Sequence, residues 1–201
     1  MSIVRSPKDP WNPGRPERPL DECLNQKVKL WLDAKVKDLI LDYAIIQEHF
    51  YEHGIGVGNL LDFSYLITPA FKALEGTLIQ IAKGLGFDLE KHRYRVGVVF
   101  DEDRLERFYE DVLNKLETIG EEQKLDIRQW LNSARRLLSH MRHAPAHFQG
   151  ERKESYTKAF QTGDAIIFTI NEMCRSLLEA GVFDQIAARK MQTQESVAAT
   201  S

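Results

Sequence analysis

Apolar side chains recur at alternating steps of three and four residues along most of this chain, and that spacing limits the folds it can adopt. The first such stripe begins after Asp21 and predicts one long helix. No segment alternates apolar and polar residues between hairpin turns, which is the pattern of a half-buried strand. We therefore predict an all-α protein. The first stripe comprises Val28, Leu32, Val36, Leu39, Tyr43, Ile46 and Phe50.

Proline and glycine residues separate the later stripes. A second stripe covers residues 63–85 and contains Pro69, so either Thr68 caps a fresh helix or a longer helix kinks there. A third stripe covers residues 105–119, and Gly120 separates it from the next. These breaks predict distinct helices joined by short connections.

The C-terminal half adds two more predicted helices. One covers residues 127–141 and should stop near Pro145, because the residue before a proline disfavours the helical conformation. The last covers residues 156–181. About five helices with short connections predict an antiparallel bundle over residues 21–185, followed by a flexible tail at 186–201.

Residues 1–20 have a different character. Five of the seven prolines fall at every third position, which forbids a regular helix and favours an extended, proline-rich arm. The arm is either a mobile leader or a segment that clasps a partner or packs across the bundle, and Trp11 gives it a side chain to bury. The five prolines are Pro7, Pro10, Pro13, Pro16 and Pro19.

Overall composition excludes some classes of protein. Apolar residues make up 43% of the chain and charged residues 28%, as in ordinary folded proteins. The net charge is −3, whereas proteins that coat nucleic acid are usually basic, so nucleic-acid contact requires a local patch. Cys23 and Cys174 lack metal or redox spacing and are predicted to be buried thiols in a reducing cytoplasm. No apolar run approaches the ~20 residues of a membrane span, so we expect no membrane partner.

Such a local patch occupies residues 135–153. It holds five Lys or Arg and three of the six histidines against a single acid, and it crosses a predicted helix end. Arginine and histidine suffice to cleave RNA, because RNA carries its own nucleophile in the 2′-hydroxyl. Histidine can move the proton, and arginine can stabilise negative charge on the phosphate, with no metal or cofactor. The predicted RNA-binding residues are Arg135, Arg136, His140, Arg152 and Lys153.

Within the patch, residues 142–147 read Arg142-His143-Ala144-Pro145-Ala146-His147. An arginine, a polar residue, three variable residues and a histidine form a motif that resembles the signature of HEPN ribonucleases. Residues 66–76 more loosely resemble the HEPN domain of the RNase LS toxins, and the resemblance covers about residues 21–181. It implies a bundle in which Arg142 contacts the scissile phosphate, His147 handles the proton and His143 orients or assists.

The same resemblance implies partners and a role. HEPN ribonucleases place two copies of the motif face to face, so it implies a homodimer with a composite site. It further implies a toxin or antiviral effector that cuts cellular RNA when released by an antitoxin or regulatory protein. HEPN folds also occur as non-catalytic partners of nucleotidyltransferases, so a module that grips phosphate without cutting is the alternative.

Other interpretations of the patch are open. Arg135 with His140 has the same spacing as the motif, but this pair falls within the predicted helix, where it would decorate a solvated face. His140, His143 and His147 have the spacing of a zinc triad, although Pro145 disrupts that geometry. The patch can also be a polar helix end whose basic residues complement the helix dipole.

Two features outside the patch are also candidates. Glu75 sits in the second stripe, where it either pairs with an arginine of the motif helix or lies at the edge of the stripe. Lys91, His92, Arg93 and Arg95 form a smaller basic cluster that can hold RNA beside the cut or be a solvated loop.

Overall fold

Every regular element in the described part of the chain is helical. A computed structural model describes residues 18–53, 64–87, 102–116, 119–143 and 156–183. The prediction of an all-α protein is confirmed there, but these residues form seven α-helices rather than about five. The helices are α1 (Arg18–Cys23), α2 (Gln26–Trp31), α3 (Ala34–His53), α4 (Thr68–Gly84), α5 (Glu102–Lys115), α6 (Glu121–His143) and α7 (Tyr156–Glu179), with a 3-10 turn at Ser64–Ile67 before α4.

Helix α1 begins at Arg18, inside the segment 1–20 for which an extended arm was predicted, so the arm does not include its last three residues. The rest of the arm and the predicted tail at 186–201 lie outside the described residues.

The first stripe forms two helices, α2 and α3, so the prediction of one long helix was wrong. Asn25 caps α2 by accepting a hydrogen bond from a backbone N–H two residues later, and α2 ends at Trp31, before Leu32, whose backbone is extended. Val28, Leu32 and Val36 are all buried despite the break. The apolar spacing continues across the corner between α2 and α3, so the stripe alone does not reveal that the helix breaks there.

Gln80 of α4 satisfies the backbone groups that the corner between α2 and α3 leaves open. Its side-chain oxygen accepts a hydrogen bond from the Asp33 N–H at 2.9 Å, and its side-chain nitrogen donates to the Trp31 carbonyl at 2.6 Å. A helix end needs such partners because its terminal N–H and C=O groups lack intrahelical ones. The break therefore depends on a side chain almost fifty residues away in sequence.

Pro69 lies in the first turn of α4, so the alternative of a fresh helix is the correct one. The residue that precedes the helix as its cap is Ile67, whose side chain makes no capping hydrogen bond. At the other end Gly86 has a φ of 81°, a left-handed conformation that glycine adopts without strain.

Helix α7 is central and contacts α2, α3, α4 and α6. The backbone N–H of Asn25 donates to Asn171, and Tyr43 further along contacts Phe160, so α2 and α3 run antiparallel to α7. Gly163 allows α3 to approach closely, because a Cβ there would overlap the ring of Tyr43. This approach places the Tyr43 hydroxyl within hydrogen-bonding distance of two acceptors on α7.

The two cysteines differ in their exposure to solvent. Cys174 is fully buried in α7, and this burial raises the pKa of its thiol. Cys23 is exposed at the end of α1, so the prediction that both thiols are buried was wrong for this residue. Cys23 is the last residue of α1, and no described helix covers its side chain.

None of the helices that the structure describes combines the length and the apolar composition needed to cross a bilayer.

Candidate functional site

Helix α6 is the element that carries the predicted site. It begins after Gly120, whose carbonyl accepts a hydrogen bond from the Lys124 N–H at 2.9 Å, and it ends at His143, two residues before Pro145. Helix α6 is described as far as His143, and Pro145 lies outside the described residues, so the predicted stop near the proline stays a prediction. One face of α6 is buried at steps of four, three and four residues, through Ile127, Leu131, Ala134 and Leu138.

Two contacts fix α6 against α7 in an antiparallel arrangement. Near the start of α6, the Ser176 hydroxyl donates a hydrogen bond to Asp126. One turn later the ring of Trp130 packs edge-on against Phe168, with 5.6 Å between the ring centroids. The Trp130 indole nitrogen is buried and has no acceptor among the described residues. These contacts set the direction in which α6 presents its outer face.

The predicted catalytic residues lie at the end of this helix. The backbone of Arg142 and His143 forms the last turn of α6. Their side chains and that of His140 lie outside the described part, as do His147, Arg152 and Lys153. The geometry of the catalytic set therefore stays a prediction, and so does the zinc alternative. The basic cluster at residues 91–95 also lies outside the described residues.

Two of the predicted RNA-binding residues are described. Arg136 is exposed on α6, and the adjacent Arg135 is half-buried. Consecutive residues of a helix differ by about 100° in direction, so the two arginines occupy different faces. Position 142 follows Arg135 by seven residues, or about two turns, which brings these two positions to the same face of α6.

Charge is segregated along α6. Its acids are Glu121, Glu122 and Asp126, all within the first two turns, and no carboxylate follows before the helix ends. Arg128, in the next turn, is exposed and was not among the predicted site residues. The signal that could have identified it was the series Arg128, Asn132 and Arg136, because residues at steps of four are neighbours along one side of a helix.

Glu75 is half-buried on α4. Its Oε1 atom is buried and accepts no hydrogen bond from any described residue. Burial raises the pKa of this carboxyl, and the nearby Lys72 opposes that shift. Glu75 was predicted either to pair with an arginine or to lie at the edge of the stripe, and neither prediction includes an unpaired buried oxygen. Because this oxygen is buried without a hydrogen-bond donor among the residues that the structure describes, the ionised form of Glu75 is unfavourable in the folded state.

A Glu75→Gln variant is expected to be more stable than the parent at neutral pH. The folded state raises the pKa of Glu75, so stability is lost as pH rises from the unfolded pKa, about 4.3, through the folded value. Glutamine does not ionise and avoids this loss. Thermal unfolding should show the gain at neutral pH and no gain below about pH 4, where Glu75 is protonated in both states.

The control is Glu48→Gln, at an exposed position on α3. Its effect on the melting temperature should be small and the same at both pH values. A gain from Glu75→Gln that persists in acid would show that titration is not its source.

A comparison of the chain with protein-family models, with curated proteins and with solved structures finds no match.

Proposed function

We propose that this chain is a metal-independent endoribonuclease of the HEPN kind, acting as a toxin or antiviral effector. The observation that carries the proposal is the position of Arg142 and His143 in the last described turn of α6, just before Pro145 in the sequence. Side chains at helix ends escape core packing and can face a substrate. The lack of carboxylates after Asp126 in α6 further supports a site for an anionic substrate.

In the proposed reaction His147 takes the proton of the 2′-hydroxyl, and the resulting oxygen attacks the adjacent phosphorus. Arg142 donates hydrogen bonds to the phosphate oxygens as negative charge develops on them. The bond to the 5′ oxygen then breaks, and this oxygen takes up a proton as it leaves. The products are a 2′,3′-cyclic phosphate and a 5′-hydroxyl, and His143 orients or assists the exchange.

We further propose that two copies form the working enzyme and that an antitoxin or regulatory protein restrains it. The motif provides one arginine and two histidines per chain, so a second copy would supply a matching set across a twofold axis. Light scattering should show a dimer at concentrations where RNA is cleaved. Cleavage by a protein that remains monomeric would contradict the composite site while leaving the ribonuclease proposal intact.

The direct test compares an RNA strand with a DNA strand of the same sequence in excess chelator. We expect cleavage of RNA alone, with cyclic phosphate ends, because DNA lacks the attacking hydroxyl. Cleavage of both strands, or loss of all activity in chelator, would contradict the mechanism. Binding of RNA without any cleavage would instead favour a non-catalytic HEPN-type module.

A further inference from the structure

The outer face of α6 carries a row of exposed polar residues. Arg128, Asn132 and Arg136 follow one another at steps of four, and Gln129 beside them is exposed as well. Each step of four advances about 6 Å along the helix, so the two arginines are separated by about 12 Å along its axis. The face opposite holds the buried residues that pack on the rest of the bundle. The row is therefore open to a ligand along its whole length.

All four side chains can donate hydrogen bonds, and none is acidic. The two guanidinium groups match the oxygens of phosphates, and the two amides can bond to a 2′-hydroxyl or to the edge of a base. Glu121, Glu122 and Asp126 lie just before the row and would repel a phosphate. The row thus has a defined end near Arg128.

The helix dipole does not account for this row. Its attraction for cations falls off within the last turn of a helix. Arg136 lies seven residues before His143 at the end of α6, and Arg128 lies fifteen residues before it. Basic residues this far from the C-terminus gain little from the dipole, so the dipole does not explain why both arginines lie on this face.

We propose that an RNA strand follows the outer face of α6, from the motif at its C-terminal end back to Arg128. This assignment rests on the proposed ribonuclease function, since it identifies the path of the substrate beside the cut. Steps of four lead from Arg136 to position 140, within one turn of Arg142, so the row is continuous with the predicted site. Arg128, Gln129 and Asn132 are RNA-binding residues in addition to those predicted from the sequence.

The test measures how salt affects the binding of single-stranded RNA by the Arg142→Ala, His147→Ala protein, which prevents cleavage during the titration. Each phosphate contact contributes about 0.7 to the slope of log affinity against log salt. Adding Arg128→Gln and Arg136→Gln should lower this slope by about 1.4. At about 0.1 M salt the same loss corresponds to roughly 25-fold weaker binding.

Two further variants separate this effect from a loss of fold or of overall charge. Lysine at both positions, as Arg128→Lys and Arg136→Lys, preserves the charges and should restore most of the slope. Glutamine in place of Lys35 and Lys83, two exposed lysines on α3 and α4, removes the same charge elsewhere and should leave the slope unchanged. An equal loss from the lysine control would overturn the proposal.

The outcomes for the path and for the enzyme are distinguishable. In one outcome the parent cleaves RNA while the arginine variant, Arg128→Gln and Arg136→Gln, leaves the salt dependence of RNA binding unchanged. In that case the proposed RNA path along α6 is wrong and the ribonuclease proposal stands. If the parent binds RNA without cleaving it and only the arginine variant loses slope, the path is supported and the ribonuclease proposal fails. No binding of RNA by the parent would overturn both.

Discussion

The Arg142→Ala, His147→Ala variant is expected to cleave RNA at least about 1,000-fold more slowly than the parent protein. General acid–base catalysis by a side chain typically contributes about 10²–10⁴ in rate, and one donor to the developing charge about 10²–10³. Groups that act together do not contribute additively, so the double variant loses less than the product of the two. Single-turnover cleavage of a labelled RNA measures this loss directly.

The chain contains a matched control for this prediction. Arg135 and His140 have the same spacing as Arg142 and His147 but lie wholly within α6. An Arg135→Ala, His140→Ala variant should raise KM, because these residues are assigned to RNA binding, while kcat changes far less. If this second pair abolishes kcat and the first does not, the catalytic motif has been assigned to the wrong residues.

The second large effect concerns the fold. Gly163→Ala is expected to destabilise the protein by about 2 kcal/mol. The new Cβ would overlap two ring atoms and the hydroxyl oxygen of Tyr43, which is only 2% exposed and cannot move into solvent. Overpacking of this kind costs about 1–3 kcal/mol, and overlaps this severe place the cost at or above the upper end of that range. The higher helix propensity of alanine offsets up to about 1 kcal/mol of this cost. In a chain of this size the melting temperature should fall by about 4–8 °C.

Gly76→Ala provides the comparison. A Cβ at that position meets a single atom, the Val36 Cγ2, at 3.0 Å, so a small shift of one methyl group relieves the contact. Its melting temperature should remain close to that of the parent. In a Tyr43→Leu background, which removes the ring, Gly163→Ala should cost much less than it does alone. An undiminished cost there would mean that the ring is not the obstacle.

Local sequence predicts the helices of this protein well but not the corner between α2 and α3. The spacing of apolar residues identified α4 to α7, because this signal acts within a few residues along the chain. The corner depends on Gln80, which a pattern confined to residues 28–50 cannot reveal. The exposure of Cys23 and the buried oxygen of Glu75 likewise depend on neighbouring helices.

The arrangement of the candidate site is likewise only partly predictable from local sequence. Helix periodicity fixes where positions 128, 135, 136 and 142 lie relative to one another, because one hydrogen-bonded ladder connects them. A proline disrupts a regular helix, so helix periodicity does not extend from Arg142 across Pro145 to His147. Its relation to Arg142 depends on contacts that the spacing of the motif does not contain.

Gln80 connects α4 to the corner between α2 and α3 through two hydrogen bonds, so the position of α4 affects this corner. One amide supplies both hydrogen bonds, so the joint between α2 and α3 loses its donor and its acceptor together whenever α4 moves away. The stacking of Trp31 on Phe183, with ring centroids 4.8 Å apart, ties the same joint to the chain beyond α7. The joint between α2 and α3 can therefore reach its final arrangement only after α4 and the chain beyond α7 have emerged from the ribosome.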